Sequence, residues 1–447
     1  MVGNAYPYTI EDWKEDIALA SAHHIDGFAL NVGPEDWQRR SVSLCYAAAL
    51  ELGLPFKLFL SFDMTYVECF VALRSSVLHE TYLRAGLGPK TPPSSVLPGN
   101  APEDIGLLRD YVADTFSHPH QLLYKGKVLV STFAGQDRLF GFSDLREASA
   151  YIKDSLQKLA PIHFVPSFFI DPRRYPHISA MDGYFNWNGG WPIHLTADSP
   201  REEVECAKLD TDRHHIHHLG GRTFMAAVSP WFFTHYGPDS WNKNWIYRGD
   251  DWLLVRRWEQ LVAARDEIDI VQIISYNDYG ESHYVGPIKG AQPNSQAWVD
   301  GFPHTAWLEL SAYFARAFKE GVYPAIDRDR IFMWARPHLR DAEATGDAVP
   351  RPDRWQLTDN KFWAVVLSTG PAEVHLSAGS EDAQARAWTV EKGVSKLSHP
   401  MITGGSMKAT MARDGAVVAE CAPAWDGFQV EENPKTFNFN AYVGASA

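Results

Sequence analysis

The sequence predicts an α/β protein. Its expected form is a (β/α)8 barrel of the TIM type over residues 1–323, an irregular linker over 324–360, and a C-terminal β-sandwich over 361–447. Three observations predict this. Short runs rich in Val, Ile, Leu and Phe alternate with stretches of helical periodicity. Those runs end in acids, amides or aromatics, as strands of a parallel barrel do at the rim that carries chemistry. Beyond Tyr323 the helical period disappears, and short alternating runs punctuated by Gly, Asp and Ser replace it.

Taken in order, Met1-Val2-Gly3-Asn4 reads as the tail of a first barrel strand, so that strand is expected to be truncated. Thr9 and Asp12 form a near capping box for a helix in which Ile10, Trp13, Ile17 and Ala20 recur at helical spacing. Strand 25–31 ends in Asn31. A helix over 36–52 follows and is closed by Gly53. Strand 56–62 runs into Asp63. A helix is expected next within 66–102, together with an exposed Pro/Gly/Ser-rich loop over 86–102.

The alternation continues with helix 102–116, strand 127–133, helix 143–159 and strands 162–169, 181–188 and 222–229. An aromatic, polar loop leads to helix 251–265, whose cap is expected from Asp250 and Asp251. Strand 268–275 and helix 306–319 close the series. Strands separated by helices imply parallel pairing with right-handed crossovers. The later runs begin at Phe362 and end near Cys421, and they carry no acid cluster, so their domain is expected to be accessory.

Bulk composition narrows the function. Sixteen Trp and 13% aromatic residues exceed what a core needs, and flat aromatic faces are what carbohydrate grooves present to sugar rings. A net charge of −14 without any basic block argues against nucleic acid and against anionic membranes. No apolar run approaches the ~20 residues of a spanning helix. The four cysteines are far apart and lack metal-ligand spacing, and the His214–His218 patch reads as a solvated helix end, so neither a metal nor a cofactor is expected.

The chemistry concentrates between Tyr276 and Tyr284, where two carboxylates, an imidazole and three phenols follow a buried strand. Asp278 and Glu281 are close enough to share a site, with Gly280 expected to let the backbone turn between them. Paired carboxylates beside aromatics are the equipment of a glycoside hydrolase. Asn31, Asp63, Gln136, Asn186, Trp187 and Trp231 also sit at strand ends and would face the same mouth. Trp191 and Trp245 are further candidates for stacking on sugar rings.

Five segments carry a family resemblance. They are Met1-Val-Gly-Asn, Gly27-Phe-Ala-Leu-Asn-Val-Gly33, Phe56-Lys-Leu-Phe-Leu-Ser-Phe-Asp-Met64, Val228-Ser-Pro-Trp-Phe-Phe-Thr-His235 and Asn277-Asp-Tyr-Gly-Glu-Ser-His-Tyr284. Together they resemble glycoside hydrolase family 71, the fungal endo-α-1,3-glucanases or mutanases. The resemblance implies a (β/α)8 barrel, α-1,3-glucan as the substrate, and metal-free hydrolysis with inversion. It also implies that Asp278 and Glu281 are the essential acids, with Asp63 a further one. We assign Glu281 as general acid and Asp278 as general base. The expected substrate-binding residues are Asn31, Asn186, Trp187, Trp191 and Trp231, with His235, Trp245, Asn277, Tyr279 and His283. The protein is expected to be a monomer. The resemblance places it outside the cell or in the wall. The absence of an apolar leader makes an intracellular location the alternative.

Overall fold

The computed structural model describes residues 1–65, 97–379, 385–423 and 428–447. The helix expected after strand 56–62, much of the loop that follows it, and Cys69 lie outside the described residues.

The first part is an α/β arrangement of parallel strands. The elements are α1 (Ile10–Ala22), β1 (Gly27–Val32), α2 (Asp36–Leu52), β2 (Lys57–Met64), α3 (Ile105–Thr115), β3 (Leu123–Tyr124), β4 (Lys127–Ala134), α4 (Leu145–Gln157), β5 (Ile162–Ser167) and β6 (Gly183–Asn186). They continue with α5 (Thr211–Leu219), β7 (Thr223–Val228), β8 (Phe233–His235), β9 (Asn244–Ile246), α6 (Leu253–Ala263), β10 (Ile270–Ile273) and α7 (Thr305–Glu320). One sheet pairs β1, β2, β4 and β5 in parallel, and a second pairs β6, β7 and β10. Asp182 stitches the two together. Its N–H donates to Phe164 O, and its carboxylate accepts from Phe164 N at 2.8 Å and pairs with Lys153 at 2.8 Å. Asp182 is therefore a structural residue at a strand start.

Alternation within the strands explains why they read as continuous apolar runs. Phe59, Leu129, Val165, Phe185, Met225 and Ile274 share one cluster, while their neighbours Leu58, Leu60, Val130, Phe164 and Phe224 join the larger core with the helices. Both faces are buried, so both must be apolar. Local signals act as expected. Thr9 Oγ1 accepts from Asp12 N, Asp12 accepts from Thr9 N, and Gly53 closes α2 at φ 63°.

Three expectations change. Val2–Ala5 is a single 3-10 turn and not the tail of a strand. It packs beside β1 and is tied to the segments after β10, with Asn4 donating to Asn277 O at 2.8 Å and accepting from Ala291 N at 2.9 Å. Among the described residues β10 pairs only with β7, and all four of its residues are half-buried. Second, Asp250 and Asp251 do not cap α6. Asp250 accepts from Arg336 and Trp363, and Asp251 from Arg248 and Cys206. Third, the 324–360 segment is not all irregular, since Arg330–Ala335 (β11) is a strand.

The remaining strands are β12 (Lys361–Ser368), β13 (Ala372–Ser377), β14 (Arg386–Val390), β15 (Gly393–Pro400), β16 (Lys408–Arg413), β17 (Ala416–Cys421) and β18 (Tyr442–Ala445). They form two antiparallel sheets, ordered β15-β12-β11-β18 and β14-β13-β16-β17. Ile331, Met333, Phe362, Val366, Leu376 and Met411 fill the cluster the two sheets share. The other face of β11 and β12 carries Trp334 and Trp363 into the core of the parallel part. Trp252 Nε1 donates across this junction to Ala364 O and Leu397 O, both at 3.0 Å.

Candidate active site

The chain leaves β10 through a cis peptide at Ile274–Ser275 and folds back on itself. Ser275 N donates to His283 O at 2.8 Å, Val285 N to Ser275 O at 2.9 Å, and Gly286 N to Tyr276 O at 2.8 Å. The loop is therefore closed at its base, and its tip presents Asp278 and Glu281. Gly280 is needed here for space rather than for an unusual backbone angle. A Cβ at this position would lie 2.2 Å from the Tyr236 hydroxyl. The left-handed residue of the turn is Ser282, at φ 60°.

Ser275 Oγ accepts from Asp278 N at 2.8 Å and meets His283 Nδ1 at 2.9 Å. His283 Nε2 in turn lies 3.0 Å from Glu281 Oε2. The ring thus bridges the Ser275 hydroxyl and Glu281, its Nε2–H donating to the carboxylate. Lys243, from the turn between β8 and β9, places its Nζ 3.4 Å from Glu281 Oε1. One donor atom each of Asp278, Glu281 and His283 falls within 4.8 Å of the other two. That spacing alone would admit a cation. The hydrogen bonds already occupy His283 Nε2 and both Glu281 oxygens, so the trio is read as an acid–base set.

Electrostatics separate the acids. Burial, reinforced by the like charge of Glu281, pushes Asp278 up from its ordinary value. Glu281 is also penalised by burial, but Lys243 and then the His283 hydrogen bond outweigh it and hold the carboxyl at about 2. Asp63, next to last in β2, is pushed up to about 6, chiefly by burial. Its Oδ1 accepts from Thr65 Oγ1 at 2.8 Å. A carboxyl pushed toward its protonated form facing one held ionised is the division acid–base catalysis uses.

Asp63, Lys243, Asp278 and Glu281 line one end of a cleft of about 680 Å³ that runs from the C-terminal ends of the parallel strands toward their N-terminal ends. Trp187 and Phe133 form an aromatic ledge at its mouth with centroids 4.5 Å apart, and Phe169 extends it. The cleft continues along the open edges of β1 and β10 to Tyr124 and Asp269.

The family model for glycosyl hydrolase family 71 matches residues 1–82 and 97–447. The chain belongs to glycosyl hydrolase family 71. Across 99% of its length it is 34% identical to a glucan endo-1,3-alpha-glucosidase of Schizosaccharomyces pombe, covering 92% of that protein. It is 29% identical over its whole length to a mutanase of Penicillium rubens, covering 87% of it. It is 29% identical over 80% of its length to an ascus wall endo-1,3-alpha-glucanase of S. pombe, covering 74%. Among solved structures, it resembles the GH99 endo-alpha-mannosidase from Bacteroides thetaiotaomicron with a TM-score of 0.45 at 15% identity, covering 70% of this chain and 81% of that one.

The family-71 cleft gathers some of the residues expected from sequence and leaves others out. Asn31, Asp63, Trp187, Asn277, Asp278 and Glu281 line it. His283 is fully buried behind Glu281, with its Nε2 3.0 Å from Glu281 Oε2. Tyr279 is equally buried, with its hydroxyl donating to Pro287 O. Asn186 is enclosed and donates to Asp212 and Thr211. Trp191 and Trp231 are core residues whose indole N–H groups donate to Trp231 O and Phe439 O. His235 is held between Asn244 and Asp347. Trp245 stacks on Phe232. Hydrophobic burial drew these aromatics inward, and the strand-end pattern could not tell a rim aromatic from a core one. Sequence reasoning missed Lys243, because a lone lysine between Trp241 and Trp245 carries no motif.

Proposed function

We propose that this family-71 hydrolase cleaves internal α-1,3-glucosidic bonds of α-1,3-glucan. The activities named for its fungal relatives support the linkage, and the cleft supports the chemistry. We read the parallel strands as a (β/α)8 barrel with one position unfilled between β1 and β10, and the two antiparallel sheets as an accessory β-sandwich. The outward residues Glu373, His375, Thr389 and Thr410 give that second unit a polar outer face, so support of the parallel part suits it better than sugar stacking. The wall of a fungal cell or ascus is the setting that fits the substrate.

The observation that carries the mechanism is the opposed protonation of the paired acids. Asp278 holds the proton and donates it to the departing glycosidic oxygen, while ionised Glu281 removes a proton from the attacking water. This division is the reverse of the one assigned from sequence. With inversion, water attacks the anomeric carbon from the face opposite the leaving oxygen. Inverting pairs stand ~6.5–9.5 Å apart to admit that water. The 4.8 Å limit on the Asp278–Glu281 approach is shorter, and we take Asp63, near the end of β2 and lining the same cleft, to share the water.

The same short distance favours a second reading, in which Glu281 attacks the anomeric carbon and a glucosyl–enzyme ester is then hydrolysed with retention. Reducing ends released from insoluble α-1,3-glucan test the function, with Glu281→Gln as the control. The anomer first seen by proton NMR tests the stereochemistry. An α product rules out inversion, and no release by folded parent protein rules out the proposed function.

A further inference from the structure

We propose that Lys243 is a positioning residue that keeps Glu281 as the ionised member of the acid pair, and that segment 347–353 holds it there through the β8–β9 hairpin. The inference rests on the hydrolysis proposed above and adds to it a residue and a support.

Lys243 Nζ lies 3.4 Å from Glu281 Oε1, on the side of the carboxylate opposite the His283 contact. Among the described residues, the charged and titratable groups that face this pair of acids come from several elements. His283 comes from their own loop, Asp63 from β2, Lys243 and Tyr236 from the hairpin, Tyr247 from the strand return, and the Met1 amino group, held by Asn277 Oδ1, stands beside Asp278. His283 is buried and meets the other oxygen of the carboxylate, Oε2, at 3.0 Å. The acids and phenols offer no positive charge. Among the described residues, Lys243 is the lysine or arginine that pairs with Glu281, on the oxygen that His283 leaves open. Its carboxylate partner is 21% exposed and Lys243 itself 46% exposed, so the pairing is partly screened.

A half-exposed lysine needs a rigid base to act this way. Lys243 O accepts from Tyr236 N at 2.7 Å across the hairpin. The next residue, Asn244, is held on three sides: its Oδ1 meets His235 Nδ1 at 2.7 Å, its Nδ2 donates to Pro350 O at 2.7 Å, and its O accepts from Asp353 N at 3.0 Å. His235 Nε2 reaches Asp347 at 2.9 Å. The segment between the two parts of the chain thus grips the strand pair that carries the cation. This gives the expected linker a structural task at the active site.

The test is the titration of the Glu281 carboxyl, followed by carbon NMR in the full chain, in the parent and in Lys243→Met and Lys243→Arg. Removing an opposite charge at this range raises a carboxyl by about one unit once exposure is allowed for. We expect Lys243→Met to raise the Glu281 midpoint by that amount and Lys243→Arg to restore most of it. The acid limb of kcat/KM on soluble α-1,3-gluco-oligosaccharides should move to higher pH in step. Asn244→Ala, which loosens the hairpin without touching Glu281, should shift the limb in the same direction by less. An unmoved Glu281 midpoint in Lys243→Met overturns the inference whether or not the protein cleaves glucan. Loss of hydrolysis in the parent overturns the proposed function instead, and the titration reads that case separately.

Discussion

Replacing Asp250 should expose how the two parts of the chain are joined. Asp250 is 2% exposed and follows the β8–β9 hairpin. Its two oxygens accept from Arg336 at 2.8 and 3.1 Å, and one also accepts from Trp363 Nε1 at 2.9 Å. Arg336 comes just after β11 and is itself 2% exposed, with its guanidinium 4.3 Å from the Trp231 ring centroid. Asp250→Ala would leave a buried guanidinium and an indole N–H without their acceptor. Arg248 would keep Asp251 and Asp359, so the damage is local to Arg336. Breaking one side of a buried pair costs ~3–5 kcal/mol, against a total of ~5–15 kcal/mol for a typical folded protein. We expect the urea midpoint to fall accordingly. Restoring a neutral pair with Asp250→Asn and Arg336→Met together should recover more than half of the loss. Equilibrium unfolding followed by tryptophan fluorescence measures both. A loss below ~1 kcal/mol in Asp250→Ala would show that water replaces the carboxylate, and that the junction does not rest on this pair.

Two further predictions concern the cleft. Trp187→Ala removes the half-buried face of the ledge with Phe133, so KM for glucan oligosaccharides should rise about 5- to 10-fold while kcat changes little, as loss of ~1 kcal/mol of uniform binding requires. Equal loss in kcat at saturation would show that the ring acts in the transition state. Gly280→Ala places a Cβ against the Tyr236 hydroxyl, which donates to Pro293 O at 3.0 Å, and must move the turn or the tyrosine. Activity should fall at least ~10-fold with the unfolding midpoint nearly kept, because misplacing reacting groups by about 1 Å is costly. Unchanged kcat/KM would mean that the loop relaxes freely.

Most of the parallel strands were legible because β2, β4, β5, β6 and β7 are buried on both faces and so write nearly unbroken apolar runs. The caps at Thr9 and Gly53 were legible because their chemistry is local. β15 was not, since its Val-Ser-Lys-Leu-Ser-His stretch lies half-buried along β12 and shows no strong alternation. β8 and β9 are three residues each and depend on Asn244 and His235 gripping segment 347–353, a partner more than a hundred residues away. Asp278 and Glu281 stood out through their place after an apolar run. Their division of labour did not, because the contacts that bear on it, Lys243 and His283 on Glu281 and the burial of Asp278, form only in the tertiary fold.

Asp63 ties the cleft to stability. Burial raises its carboxyl from 3.8 to about 6, while the unfolded chain keeps the ordinary value. Below pH ~4 both states are protonated and the shift is without effect. Between the two values the unfolded state gives up its proton and the folded state keeps it, so stability is lost as pH rises through 6. At one unit per 1.36 kcal/mol the full penalty near neutral pH is on the order of 3 kcal/mol. Asp63→Asn removes the titration and still offers Thr65 Oγ1 a carbonyl oxygen. The variant should therefore be more stable than the parent at pH 7.5, equal to it at pH 4, and at least ~10²-fold slower in kcat. Chemical unfolding at the two pH values measures this. A gain of the same size at both would mean that the substitution acts through packing and not through charge. A loss at pH 7.5 would mean that the ionised carboxylate is stabilised in the fold by contacts stronger than the Thr65 hydrogen bonds.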